Sequence, residues 1–454
     1  MYGDAVTGLK RSLTLVEYFT FGFGTMIGVG WLVLMPDWLG RGGPGGAMLA
    51  FALGGVLLLP IALTYGRLVR EIPDAGAEIA YAERVFPRFV AFAAGWIMVL
   101  AYAIVCPWEA VVIGNLLARV IPAMDTMPLY EVAGRTIYAP RLAAGLILSA
   151  IITAVNYRGI RQSGLFQDVT TFGLLAAFAV FAMLGLVRGD PSRMEPLFAR
   201  PGAMGALVST VLVMQIVPYF MTGFESVAKG SEEARPGFEP GHFARAINLS
   251  VASGALFYVL VVAAVAFVYP WREIVDGNIG TEAAFQRAFG SRTLTNVILI
   301  GAFLSLFKVL NGNFVAASRL VFSIGRRGLV HASLGRIHPT YGTPAVAVLL
   351  MGVLTVAGSL LGDALLIPVA EVGSLASGVG WLSACVAYLM LERPRGSRTG
   401  TVIAGVGAMA ALGIIVMKVV PGVPGSFRAP EWMALGAWCA LGLAFWLARP
   451  RVIR

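Results

Sequence analysis

The sequence predicts an all-α polytopic membrane protein of about twelve transmembrane helices, with the first and sixth broken mid-membrane. Three observations lead there. Of 454 residues, 58% are hydrophobic and 13% charged, against roughly 25% charged in soluble domains. Apolar runs near the about 20 residues that cross a bilayer recur from end to end. Glycine and proline interrupt two of those runs, five spans apart.

In chain order the spans are expected near 13–35, 45–66, 89–118, 142–157, 166–187, 206–230, 246–269, 294–324, 344–361, 365–390, 400–419 and 432–448. The two longest gaps, 119–141 and 270–293, hold a few turns at most. A single membrane domain is therefore expected over 1–454, its first repeat at 12–188, its second at 206–391 and two additional helices at 399–449. Lys10 and Arg11 before an apolar run suggest a signal peptide, but the run is too long and lacks a small-residue cleavage site. It reads as an uncleaved first helix.

Twelve spans put both ends of the chain on one side. That side then holds 21 basic residues, among them Arg67, Arg70, Arg84, Arg88, Lys229, Arg319, Arg326 and Arg327, against 12 on the other, including Arg41, Arg119 and Lys418. The positive-inside rule places the termini in the cytoplasm and the protein in the cytoplasmic (inner or plasma) membrane. The net charge of +10 is thus explained by topology, and no nucleic-acid partner is expected. Three cysteines and three histidines show neither a disulfide framework nor metal-ligand spacing. Neither a cofactor nor an obligate protein partner is expected.

The first interruption is "GTMIGVGWLVLMP", with Gly24, Gly28 and Gly30 inside span one. The second is "QIVPYFMTGFESVAKG", with Pro218, Gly223 and Glu225 inside span six. Proline removes a backbone donor and glycine tolerates unwinding. Interrupted segments at corresponding places in two halves point to a transporter binding site, because unwound backbone at membrane depth survives only where it is buried or lines a cavity. Freed N–H groups attract a carboxylate and freed carbonyls a cation. Close helix packing is the plainer use of the glycines.

Four stretches together resemble the amino acid–polyamine–organocation (APC) permeases over residues 12 to 395. "GTMIGVGWL" is similar to the family's first-helix glycine motif. "GPGGAMLAFALGGVLLLPIALTYGRLVREIPDAGAEIAYAERVFP" resembles its second helix and following loop, "TGFESVAKGSEEARP" its sixth helix, and "AASRLVFSIGRRGLVHASLGRIHPTYGTP" its eighth-helix end. The resemblance implies a LeuT-like fold, with two inverted five-helix repeats (spans 1–5 and 6–10) plus two helices. It also implies secondary transport of amino acids, polyamines or related cations. The chain departs at Trp31, where a smaller residue is commoner, and at Gly173 in "QDVTTFGLL", where some proton-coupled members carry a lysine.

Several residues are candidates. A substrate carboxylate is expected on N–H groups of Ile27, Gly28, Val29 and Gly30, with Thr25 and Met26 beside it. An amine is expected on carbonyls around Phe220 and Thr222, next to Gly223. Lys308 lies eleven residues before Arg319, about 16 Å at ~1.5 Å per residue. That depth suits a functional cation. The resemblance implies a cation seat between the first and eighth helices in sodium-coupled relatives. Lys308 is expected to fill it against carbonyls near 26–29 and to exchange a proton during the cycle, unless it forms a static pair with Glu109 or Glu371. Glu225 either couples and gates or braces the unwound backbone. Glu109 and Cys106 in "CPWEAVVIGN" line the pocket, where Glu109 meets a cationic substrate or Lys308. Tyr219, Trp108 and Phe224 are candidate gates, with packing the alternative. Glu17 reads as interfacial. "GVGAMA" at 405–410 lies in an apolar span with no strand before it and is no dinucleotide site. The expected function is a non-enzymatic, proton-linked carrier of an amino acid or related amine. The alternatives are a polyamine or cationic amine importer, an amino acid/amine antiporter and, more distantly, a non-transporting sensor.

Overall fold

The computed structural model describes residues 9, 11–392 and 397–449, with backbone alone at 160–164 and 365–367. Of the basic residues used for orientation, Lys10, Arg393, Arg395, Arg451, Arg454 and the Arg161 side chain lie outside the described residues. Among the described residues nine helices are long and apolar enough to cross a membrane. Shorter apolar helices at Gly202–Met214 and Ala345–Ser359 belong to spans six and nine, and Ala429–Leu447 forms span twelve. The architecture is all-α and polytopic, as the sequence predicts.

Span one opens at Leu15–Met26, where Thr14 and Glu17 form a reciprocal cap. Glu17 Oε2 accepts the Thr14 N–H at 2.7 Å, so this acid caps a helix start and is not merely interfacial. The helix stops at Met26 and resumes at Gly30–Val33. The next helical run, Met35–Glu71, turns at Gly43 (φ 64°, ψ 174°), so residues 35–42 complete span one and 44–71 form span two. The sequence places the end of span one near 35, so the helix runs further than expected. The helix persists because its charges are paired laterally: Arg41 meets Asp37 one turn away at 2.8 Å and Glu371 of span ten at 2.9 Å.

Span six is helical at Gly202–Met214, Val217–Met221 and Ser226–Lys229, with 222–225 between the last two pieces. Spans three, four, five, seven, eight, ten and eleven follow Arg88–Ala118, Ala139–Arg158, Ile160–Arg188, Gly241–Val268, Arg292–Arg326, Leu366–Glu392 and Arg398–Val419. The gap after span three differs from expectation. It carries an antiparallel hairpin of Pro128–Val132 with Arg135–Tyr138, turned by Ala133 and Gly134 at positive φ.

The face carrying the chain ends is knitted by ion pairs. Arg326 meets Glu232, Arg327 meets Asp74 and Glu83, and Arg319 meets Glu233 at 2.5 Å. These link the segments after spans two and six to the end of span eight. On the opposite face Glu371 binds both Arg41 and Lys418. Two lysines assigned to loops from the sequence are interior: Lys418 and Lys229 are both 0% exposed. Each is tolerated there because an acid waits for it. Lys229 Nζ donates to Glu78 Oε1 at 2.6 Å, and Glu78 also accepts the Tyr65 hydroxyl at 2.6 Å.

Removing one partner of a buried pair leaves an uncompensated charge and costs about 3–5 kcal/mol, whereas removing both can be nearly neutral. Lys229→Met should therefore lower the melting temperature of the purified protein sharply, and Glu78→Gln/Lys229→Met should recover most of the loss. Additive losses in the double variant would show that this pair does not hold the fold.

Candidate functional site

A helix end leaves its last carbonyls without intrahelical donors, and inside a bilayer no water supplies them. The stop at Met26 is met by neighbouring side chains. Lys308 Nζ donates to Gly24 O at 3.1 Å and to Ile27 O. Asn313 Nδ2 donates to Thr25 O at 3.1 Å, and Ser305 Oγ to Ile27 O at 3.0 Å. The Tyr258 hydroxyl lies within donating distance of Met26 O, 3.2 Å, and Phe220 O, 3.3 Å. Three of these donors come from span eight and one from span seven.

Lys308 is 0% exposed and makes no ion pair within 4 Å among the described residues. Glu371 is taken by Arg41 and Lys418, so a static Lys308–Glu371 pair is ruled out. The carbonyls that hold Lys308 are those of 24 and 27, slightly toward the helix body from the expected 26–29. The negative end of a helix dipole suits an ammonium, and the Phe23 ring faces it at 5.9 Å.

The sixth-span break approaches the first at Gly223, whose φ is 134°. A Cβ there would sit 2.7 Å from Met26 N and 2.8 Å from Thr25 C. The Gly223 N–H donates to Glu225 Oε2 at 3.1 Å, a contact of the kind the bracing alternative expects. Thr222 Oγ1 donates to Pro218 O at 2.7 Å, and the Tyr219 N–H to Ser374 Oγ at 3.1 Å. Span ten thus steadies the outer half of the break.

Between the two breaks lies a small cavity. Of the sequence candidates, Thr25, Met26, Gly28, Gly30, Trp108, Glu109, Tyr219, Phe220 and Thr222 line it. Val105, Val309 and Asn313 line it as well. Tyr219 and Trp108 stand 6.5 Å apart, centroid to centroid.

Other candidates lie behind the wall. The Ile27 N–H is committed to Phe23 O at 3.0 Å, so Ile27 cannot contribute to a carboxylate seat through it. Ile27, Val29 and Gly223 are buried outside the lining. Phe224 packs against Trp381 at 5.5 Å and Tyr65 at 5.9 Å, so it is a core residue and not a lid over this cavity. Cys106 hydrogen-bonds back to Tyr102 O at 3.7 Å. Trp31 turns away toward Phe181, 5.4 Å, and Phe257, 6.3 Å, which removes it from the pocket. Gly173 packs on Leu304 of span eight.

Sequence reasoning missed Tyr258, Ser305 and Asn313. Asn313 sits five residues after Lys308 in "KVLNGN", and two asparagines in a mid-membrane helix were the available signal.

Gly223 and Gly30 should respond differently to alanine. Gly223→Ala meets backbone and a glycine-type φ, costing about 1–3 kcal/mol in strain alone, and should cut folded yield. Gly30→Ala meets only the edge of the Phe220 ring and should fold while losing ligand-induced thermal stabilisation. Equal yields with intact ligand response in both would contradict this geometry.

A family model described as amino acid permease matches residues 13–445. The chain is similar to the methylthioribose transporter of Bacillus subtilis, 27% identical over 346 residues, 74% of this chain and 72% of that protein. It is similar to the branched-chain amino acid permease BcaP of Bacillus subtilis, 27% identical over 385 residues, 83% of this chain and 79% of that protein. It is also similar to cationic amino acid transporter 4 of Mus musculus, 27% identical over 367 residues, 79% of this chain and 56% of that protein. With a family match over nearly its whole length and two interrupted helices around a buried cavity, the chain belongs to the amino acid permeases of the APC superfamily.

Proposed function

We propose that the protein is a secondary carrier of an amino acid or related amine, working by alternating access and coupled to protons through Lys308. One observation carries the reading: an ammonium fixed on span eight caps the broken end of span one, next to a cavity walled by both breaks. Glycine-rich backbone at Gly28 and Gly30 faces that cavity, and a substrate carboxylate, where present, is assigned there.

In this reading spans one, two, six and seven rock against spans three, four, eight and nine, as the LeuT-like arrangement of two inverted repeats implies. Movement of span one away from span eight strips Lys308 of its two carbonyls. A desolvated ammonium without acceptors is costly, so loss of its proton accompanies the swing, and reprotonation accompanies the return. Glu225 stays with Gly223 and serves the shape of span six. The ion pairs among Asp74, Glu232, Arg326 and Arg327 close the face carrying the chain ends, which the excess of basic residues assigns to the cytoplasm.

The test is uptake by the reconstituted protein with and without an inward proton gradient. The expected result is accumulation driven by the gradient in the unaltered protein. Lys308→Met should retain counterflow exchange of the same substrate and lose gradient stimulation by at least about tenfold, or ~1.4 kcal/mol. Full gradient-driven accumulation in Lys308→Met would sink the coupling role.

A further inference from the structure

The cavity wall contains buried polar atoms that no neighbour satisfies. Glu109 is 1% exposed and its Oε2 has no hydrogen-bond partner; Asn313 is 1% exposed and its Oδ1 has none. The Tyr219 hydroxyl is likewise unpartnered. All three residues line the same cavity. Native interiors rarely leave such atoms unmade, and each one calls for an explanation.

The orientation of Asn313 is settled by its own bonds. Nδ2 spends its hydrogens on Thr25 O, 3.1 Å, and Val309 O, 2.8 Å. A flipped amide would set oxygen against two carbonyl oxygens, so Oδ1 is a pure acceptor. A carboxylate is also acceptor-only when ionised. Lys308 spends two of its three hydrogens on Gly24 O and Ile27 O and is bonded to neither of these atoms. Against these acceptors the lining sets two unpartnered hydroxyls, those of Tyr219 and Thr25, and neither carries a positive charge to match a carboxylate.

The remaining wall is aromatic. Trp108, Tyr219 and Phe220 line the cavity, with Tyr219 5.1 Å from Phe220 and 6.5 Å from Trp108 between ring centroids. Ring faces attract cations, and aromatic enclosures are a recurrent way to hold an ammonium.

We infer that Glu109, Asn313 and the Trp108–Tyr219–Phe220 wall form a subsite for a positively charged nitrogen of the substrate, and that this ammonium, rather than a carboxylate, is the group the cavity requires. The inference rests on the carrier reading and specifies its substrate. Glu109 strengthens it by position: a Cβ on Gly28 would lie 2.8 Å from Glu109 Oε1, so the glycine backbone assigned to a carboxylate already has one beside it. A second carboxylate there is opposed by the first unless the substrate's own ammonium lies between them.

The experiment uses the full chain, purified, with matched probe sets: leucine, 3-methylbutylamine and 4-methylpentanoate; alanine, ethylamine and propionate; arginine and agmatine. Thermal stabilisation and competition with uptake are read for each. The amine of a set is expected to bind within about tenfold of its amino acid, while the acid lacking the amine is inert. Glu109→Gln should weaken amine and amino acid alike by about thirtyfold or more, as truncating a buried charge partner does, with the unliganded melting temperature as its folding control. Should that variant fail to fold, the probe sets on the unaltered protein still decide. Binding that needs the carboxylate and survives loss of the amine overturns the subsite and leaves the carrier reading standing. Undiminished affinity in folded Glu109→Gln does the same, marking Glu109 as a neutral acid that satisfies Asn313 itself. If no probe binds or is accumulated, the carrier reading falls and the subsite falls with it.

Discussion

A backbone that stops being helical inside a membrane must find donors for its open carbonyls from the protein itself. Everything around the site follows from how span one meets that demand. The carbonyls of Gly24, Thr25, Met26 and Ile27 each receive a side chain from another span: Lys308, Asn313, Tyr258 and Ser305. Because the donors come from spans seven and eight, the break in span one cannot form without fixing how those spans sit. Tyr258 reaches Phe220 O as well, so the two breaks share one hydroxyl. Gly223 against Thr25 and Met26 then sets their separation at backbone contact.

The same economy governs the charges. The membrane interior contains Glu78 with Lys229, Glu233 with Arg319, and Glu371 with Lys418 and Arg41. A buried pair gains little over a well-packed apolar one. What these pairs have in common is that each joins segments from different spans, toward one face or the other of the cavity. Glu109 and Lys308 stand apart from this pattern. Each is buried, and among the described residues neither makes an ion pair within 4 Å; Lys308 is held by backbone carbonyls instead. A buried charge with no opposite charge to match it is a candidate for function.

How much of this could be read beforehand depended on whether a residue's partner was local. The breaks were legible because glycine and proline act on their own backbone. Lys308 was legible because its depth follows from helix rise alone. The fold class followed from composition, and the order of four motifs carried the family. Tyr258 was not legible, since its partner lies 232 positions away and a lone polar residue in an apolar run has no pattern; Asn313 had a neighbouring asparagine as a signal, but its partner lies 288 positions away. Lys229 and Lys418 were misplaced for the same reason: a lysine near a span's end looks like a loop charge until the acid that buries it is known. The misjudged end of span one repeats the lesson, because Arg41 remains helical through Glu371, 330 positions away. Phe224 and Trp31 show the converse limit. Both neighbour the breaks in sequence, yet helical direction turns each of them into the core.

The identity of the cation at the broken end bears on what kind of energy the carrier can use. A metal ion in such a seat arrives from solution and leaves again, so its own gradient does work. Lys308 is covalently tied to span eight and its ammonium occupies the seat. A second cation placed there would meet a like charge at contact distance, worth roughly 4 kcal/mol even at an effective dielectric constant of 20. While Lys308 is protonated the seat is therefore closed to free ions, which is why the proposed coupling runs through its proton. Charge balance then ties this seat to the cavity. Glu109 lies one helix away without an ion pair, and a cationic substrate beside it would bring a second positive charge near Lys308. In the proposed arrangement the two positive charges, that of a loaded ammonium and that of a protonated Lys308, oppose each other. Proton and substrate oppose one another in that arrangement, which is the thermodynamic form of exchange. A zwitterion brings no net charge and escapes much of that opposition. Whether the carrier exchanges or accumulates is on this argument a property of the substrate's charge, and one arrangement of Lys308 and Glu109 accommodates both.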